Sequence, residues 1–309
     1  MELDHAGYLL RPAASGAAVA AVAQSITVVD AQLARRTALA AHGAVEDVAL
    51  APGGRHAAVI DEEGLRLLEV YRDNLRWRVV GKSHACHFDR SGDALWVVRP
   101  AAQPSGARLE LRDAGNGAVR LRANLEDPFG GSAFTLAPSP DPDGILVWIA
   151  AESDTRTVAA TIHQGALDIR DLPHHGGYPL EPIPESTDYL LVHEGALERR
   201  AWADHAVADA LDWPWIQEED LAVLPLSSRY ALWASRSGRL HLVDAVDMAY
   251  VEEVGVEGRR PAPLREYVPA SEDSRWGTDL QQFCVSGDHV ILQYGDTTLA
   301  SVAISELLP

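Results

Sequence analysis

The chain has 309 residues, 47% of them hydrophobic, with 24 Gly, 18 Pro and only two Cys, which is enough for a sizeable core and excludes a disulfide-stapled scaffold. Twenty-six basic against forty-five acidic side chains leave a formal charge of -19, and no basic run offers nucleic-acid phosphates a face, so nucleic acid is excluded as the expected partner. No stretch approaches the roughly 20 apolar residues that span a bilayer, so no membrane partner is expected.

In chain order, residues 17–23 are apolar and end in Ala-Val-Ala, but Glu2 and Asp4 stand where a secretory leader carries positive charge, and Arg11-Pro12 interrupts the region. The expected location is therefore cytoplasmic, and Cys86 and Cys284 are expected as buried free thiols. Lys82 is the only lysine and alanine is abundant, which reads as the coding bias of a GC-rich bacterial genome.

Four segments share one design. Ile26 to Ala31 reads ITVVDA, Leu65 to Val70 reads LRLLEV, Leu109 to Ala114 reads LELRDA and Leu240 to Ala245 reads LHLVDA. Each predicts a strand closed by an acid, at Asp30, Glu69, Asp113 and Asp244. The 131 residues between the last two leave room for two degenerate copies, near His163 and Ala203. In phase with these run turn sequences rich in Gly, Asp, Ser and Pro: LAPGGR from Leu50, FDRSGD from Phe88, LAPSPDPDG from Leu136 and VSGD from Val285. A short apolar run follows each, at Ala57 to Ile60, Ala94 to Val98, Ile145 to Ala150 and Val290 to Leu292. Consecutive apolar residues between turns predict strands covered on both faces. The single predicted helix is His205 to Leu211, with Asp204 as its N-cap.

Repeats of ~40–45 residues built of four strands are the signature of propeller blades. The expected fold is an all-β propeller of seven four-stranded blades, at about 1–41, 42–81, 82–125, 126–173, 174–212, 213–256 and 257–309 within a single domain. Six blades or an incompletely closed ring is the alternative. The last interval supplies only three strands, so residues 1–11 are candidates for its missing outer strand. The segment Val48 to Val70, with His42-Gly43 upstream, resembles a blade of the bacterial WD-repeat or YVTN type, although VVDA, LRDA and LVDA stand where that family carries Trp-Asp. The resemblance implies a disc with a central channel whose rims meet protein partners, and in some branches an enzyme.

Gly81-Lys82-Ser83 resembles the tail of a phosphate loop, but Arg76 occupies the required glycine position and no helix pattern follows. His84, Cys86 and His87 are soft-metal ligand types, yet strand alternation sends His87 to the face opposite the other two. Asp141-Pro142-Asp143-Gly144 lacks the remainder of a calcium loop and reads as an extended turn. Asp113 to Gly117 resembles part of a quinoprotein motif without its recurring Trp. No cofactor and no metal is expected.

The candidate partner-binding residues are His174, His175 and Tyr178 in a Pro- and Gly-rich connection, Trp213 and Trp215 around a Pro, and Arg259, Arg260 and Trp276 in the apparent insertion Gly255 to Thr278. The expected function is a non-catalytic scaffold, a subunit or adaptor of a bacterial assembly, whose protein partner presents a basic patch to the acidic surface. The alternative is a small-molecule hydrolase or lyase at the mouth of the channel.

Overall fold

A computed structural model describes residues 9–13, 18–22, 25–34, 36–72, 74–101, 106–127, 132–151, 155–173, 180–193, 196–212, 220–235, 240–257, 260–263, 280–294 and 298–309. Among these, all regular structure is strand apart from one turn of 3-10 helix, Pro52–Gly54, and a terminal helical turn, α1 (Ile304–Leu307). The strands form antiparallel meanders in which strands consecutive in sequence are neighbours in the sheet.

One compact unit, Leu3–Gly176, holds four sheets. The first comprises β1 (Leu9–Pro12), β2 (Ala18–Val22), β3 (Ile26–Asp30) and β4 (Arg36–Leu39). The second comprises β5 (Asp47–Leu50), β6 (His56–Asp61), β7 (Gly64–Glu69) and β8 (Asn74–Val80). The third comprises β9 (Ala85–Phe88), β10 (Ala94–Pro100), β11 (Gly106–Asp113) and β12 (Val119–Glu126), and the fourth β13 (Ala133–Pro138), β14 (Gly144–Ala150), β15 (Thr155–His163) and β16 (Ala166–Asp171).

A second unit lies within Gly177–Pro309. Its sheets comprise β17 (Glu181–Pro182), β18 (Asp188–His193), β19 (Ala196–Ala201) and β20 (Val207–Asp212); then β21 (Asp220–Pro225), β22 (Tyr230–Ser235), β23 (Leu240–Asp244), β24 (Ala249–Glu257) and β25 (Arg260–Pro263); then β26 (Leu280–Ser286), β27 (His289–Tyr294) and β28 (Thr298–Ala303).

These repeated meanders are the blades of a β-propeller, and the core lies between sheets rather than within any one of them. Val28, Val48 and Val59 join the first and second sheets, Ile60, Leu65, Cys86 and Leu95 the second and third, and Trp96, Leu109, Phe134 and Val147 the third and fourth. In the other unit Leu190, Trp233 and Val243 share one cluster, and Leu242, Val290 and Leu307 another. A strand sandwiched in this way is buried on both faces, so Ala57 to Ile60 and Ala94 to Val98 are all buried. On the outer strands of the second, third and fourth sheets the covering falls away: β8, β12 and β16 are mostly exposed, with half-buried positions between, and Leu125 is the one buried residue among them.

The recurring acid makes the turn that ends the third strand. Asp113 Oδ1 accepts the backbone N–H groups of Gly115 and Asn116 at 2.9 and 3.0 Å, and Asp244 Oδ1 accepts those of Val246 and Asp247 at 2.9 and 3.0 Å. A short carboxylate at that position replaces the lost ladder bonds with a local turn. Glycine completes one such turn for a steric reason. Gly117 has φ 75°, and a Cβ there would lie 2.9 Å from Trp77 of the neighbouring sheet.

The structure corrects four expectations. Among the described residues six sheets have at least four strands and the seventh has three, which gives six complete blades where seven were expected. Leu9–Pro12 pairs with β2 in the first sheet, where β1 lies against β5, instead of completing the last blade; residues 1–8 lie outside the described set. Residues 207–212 form strand β20, because its backbone completes a ladder with β19 and an isolated seven-residue helix is too short to hold itself together. The interval Gly255 to Thr278 is not simply a rim loop. Glu257 and Arg260 pair at the end of a β24–β25 hairpin that widens the sixth sheet to five strands, and Pro261 and Pro263 are tolerated because β25 is an edge strand.

Candidate interaction cleft

His174, His175, Tyr178, Trp213, Trp215, Arg259 and Trp276 lie outside the described residues. Arg260 opens β25. Of the chemistry-bearing groups noted in the sequence, Cys86 and Cys284 are both buried and not joined in a disulfide. Burial, reinforced by the Asp47 charge, pushes the Cys86 thiol well above its ordinary range. Its neighbours are engaged in structure: His87 Nδ1 sits 2.6 Å from the Phe88 carbonyl oxygen, and the His84 ring packs 5.2 Å from that of Phe134. Among the described residues no three His, Cys, Asp or Glu side chains are grouped to hold a metal. Asp141 to Gly144 form a turn, closed by Gly144 N–H donating to the Asp141 carbonyl at 3.1 Å.

The strands that begin the sheets carry a polar junction of structural type. Asp47, on β5, accepts Arg11 Nε and its neighbour Val48 N–H at Oδ1, at 3.1 and 2.9 Å, and Cys86 N–H at Oδ2, at 2.9 Å. One buried carboxylate thus ties the first three sheets together. At the β6–β7 turn, Asp61 accepts Arg66 at 2.5 Å and the backbone N–H of His42 at 2.9 Å, while Arg66 also donates to the Ala40 carbonyl. Both side chains are buried. Each of these acids already accepts three hydrogen bonds from the protein itself, Asp61 taking its third from the Glu63 N–H.

A cleft of about 390 Å³ opens between the second and third sheets, wholly inside the Leu3–Gly176 unit. Its wall contains His56 at the start of β6, Leu67 on β7, Arg76 on β8, Asp93 just before β10, Asp113 at the end of β11 and Arg120 on β12. These positions share one rim because His56 is directly opposite Glu69, and Ala94 directly opposite Asp113, in their ladders.

Two β-bulges in matching places present the arginines. Leu67 faces Trp77 and Leu68 faces Leu75, so Arg76 is the extra residue; Leu111 faces Leu121 and Arg112 faces Val119, so Arg120 is the extra residue. A bulge re-aims the side chain it carries and increases local twist. The indole of Trp77 anchors the two sheets beside it, donating Nε1–H to the Ala114 carbonyl at 2.9 Å.

The two guanidiniums differ in state. Arg120 pairs with Asp113 Oδ2 at 2.5 Å, and that hydrogen bond, with the backbone donors of the turn, holds the Asp113 carboxyl below its usual range. Arg76 is exposed and, among the described residues, has no hydrogen bond or ion pair. It acts on His56 instead: partial burial first, then the charges of Arg76 and Arg55, lower the imidazole below its ordinary value against an opposing pull from Glu69. His56 is therefore neutral at pH 7 and offers one N–H donor and one acceptor. Just behind the cleft, buried Glu110 is shared by Arg108 at 2.8 Å and by Arg112, whose Nη1 also donates to the Gly117 carbonyl at 2.7 Å.

None of His56, Arg76, Asp93 and Arg120 is among the residues singled out from the sequence. A signal existed: Arg-x-Arg falls seven and nine residues after the turn acid in both repeats, as Arg76 and Arg78 after Glu69 and as Arg120 and Arg122 after Asp113. It recurs in neither the Asp30 nor the Asp244 repeat. Among the described residues no helix is long and apolar enough to cross a membrane. Compared with known protein families and with curated proteins, the chain matches none.

Proposed function

We propose that the chain is a non-catalytic interaction scaffold, a single-domain propeller of the bacterial WD-repeat or YVTN type, working in the cytoplasm as a subunit or adaptor of a multiprotein assembly. One observation carries this reading. The polar groups on the strands that begin the first three sheets are consumed by structural bonds, whereas exposed large apolar side chains and an unpartnered arginine gather on the outer strand β8 and its turn: Tyr71, Leu75 and Val80 are 53%, 50% and 73% exposed beside Arg76. Rim surfaces that mix aromatic, aliphatic and Arg side chains on rigid strands suit partner docking. Two buried cysteines not joined in a disulfide fit a reducing compartment. Outside residues 42–126 the chain carries fourteen basic and thirty-three acidic side chains, a surface that favours a basic patch on the partner and association that slows with salt.

The test is affinity capture from the native host with the intact chain, with Trp213→Ala/Trp215→Ala, and without residues 264–278. A stoichiometric partner lost in either variant supports the scaffold. The competing hydrolase or lyase reading draws on Glu181, a carboxyl on the first strand of the fifth sheet that burial pushes up to about 8, so that it holds its proton at neutral pH as a general acid does. Turnover of a small-molecule ester or lactone panel that Glu181→Gln abolishes, with no partner captured, would replace the scaffold by the enzyme.

A further inference from the structure

The turn from Asp113 to Gly117 carries a chemistry that the scaffold does not use. The chain has three asparagines, Asn74, Asn116 and Asn124, and all three are exposed. Asn74 and Asn124 lie on strands β8 and β12, and each is followed by a Leu whose side chain shields the next backbone nitrogen. Asn116 is the one that precedes a glycine and stands in a turn.

That turn brings the side-chain amide and the following nitrogen together. Asn116 Oδ1 accepts the Ala118 N–H at 2.9 Å. The ring closed by this bond contains both Cγ of Asn116 and the nitrogen of Gly117, so the side chain is folded back over its own C-terminal peptide bond. The Ala118 N–H also polarises the amide carbonyl, and it stands where negative charge grows on Oδ1 when a nucleophile adds to Cγ. Gly117 has no side chain to obstruct that approach. Its N–H donates to the Asp113 carbonyl at 2.8 Å, and this bond has to open before the nitrogen can attack.

We infer that Asn116 is a site of spontaneous deamidation that loosens the turn joining the second and third sheets. The Gly117 nitrogen forms a bond to Asn116 Cγ and gives up its proton; the Cγ–Nδ2 bond breaks, and Nδ2 leaves with that proton as ammonia. Water then opens the resulting succinimide at either of its carbonyls, which leaves aspartate or isoaspartate at position 116. Isoaspartate inserts one carbon into the main chain between the Asn116 N–H, held by Asp113 Oδ1, and the Gly117 carbonyl, held by Arg112, so the two bonds can no longer be kept together. Either product sets a new carboxylate beside Asp113, the partner of Arg120. Trp77 of the second sheet donates to Ala114 of this same turn and lies against Gly117, so the contact between the sheets weakens with it. Loss of ammonia to bulk water makes the change one-way.

The test is to incubate the full folded chain for days in mildly alkaline buffer and digest it with trypsin, which cuts after Arg112 and Arg120 and releases Asp113 to Arg120 as one peptide. The expected result is that this peptide gains the mass difference between an amide and an acid and elutes as two products, while the peptides carrying Asn74 and Asn124 stay unmodified. Over the same incubation the urea midpoint of the wild type should fall, and that of Asn116→Gln, whose longer side chain cannot close the five-membered ring, should hold. An intact Asn116 in the folded chain, under conditions that modify the excised peptide, would show that the turn shields the site and overturn the inference. Equal conversion at Asn74 would overturn it too, because exposure alone would then decide. Conversion at Asn116 with an unchanged urea midpoint would overturn the loosening of the turn.

Discussion

Replacing Glu181 by Gln should remove a loss of stability that sets in as pH rises from 5 to 8. Glu181 pairs through its backbone with Leu190 at the edge of the fifth sheet and is half-buried, and its carboxyl has no hydrogen bond or ion pair among the described residues. Burial alone raises its carboxyl from 4.5 to about 8. The native state then holds a proton that the unfolded chain has already released in that interval, so the contribution of Glu181 to stability is fully present below pH 4.5, falls as pH rises, and is gone above about 8. Each pH unit costs about 1.4 kcal/mol, and the full interval on the order of 5 kcal/mol, an upper bound because the residue keeps some contact with water. Gln keeps the shape without the charge. Urea denaturation monitored by tryptophan fluorescence should show wild type and Glu181→Gln alike near pH 5, with the variant more stable by at least about 2 kcal/mol at pH 8. Parallel curves for the two proteins across this range would refute the assignment of a buried, unpaired carboxyl.

Gly117→Ala should cost about 1–3 kcal/mol, because its Cβ is driven both into a positive φ and against Trp77; thermal unfolding would measure it, and Trp77→Ala/Gly117→Ala should lose less than the sum of the single changes. Asp61→Ala should cost about 3–5 kcal/mol by stranding Arg66 inside the protein, whereas the double replacement Asp61→Leu/Arg66→Met should recover much of that loss in the same urea titration. The Cys86 thiol, buried and with its ionisation suppressed, should resist a disulfide reagent at pH 7 until denaturant is added; mass spectrometry locating rapid labelling at Cys86 in the native protein would contradict its packing between the second and third sheets.

The sequence by itself determined the blade as a unit. Apolar runs such as Ala94 to Val98, the acid that ends each third strand and the Gly- and Asp-rich turns are all local, and a hairpin's register follows from its turn and its alternation. Those signals fixed the strands of the second, third and fourth sheets closely, because nothing distant has to be known for them to form. The helix predicted at His205 to Leu211 failed for the complementary reason: alanine-rich local preference amounts to less than the ladder that β19 offers. Arg76 and Arg120 were visible as a repeated Arg-x-Arg, but only the bulged pairing of β7 with β8 and β11 with β12 turned both toward one cleft. Asp47, in an unremarkable stretch of sequence, became a junction because Arg11 and Cys86, 36 residues before it and 39 after it, arrive at its two oxygens. Likewise, Glu181 is an ordinary glutamate until the packing of its sheet withdraws water from it. Side-chain environment depends on which sheets lie face to face, and that is decided by contacts far apart in the chain, where local pattern carries no information.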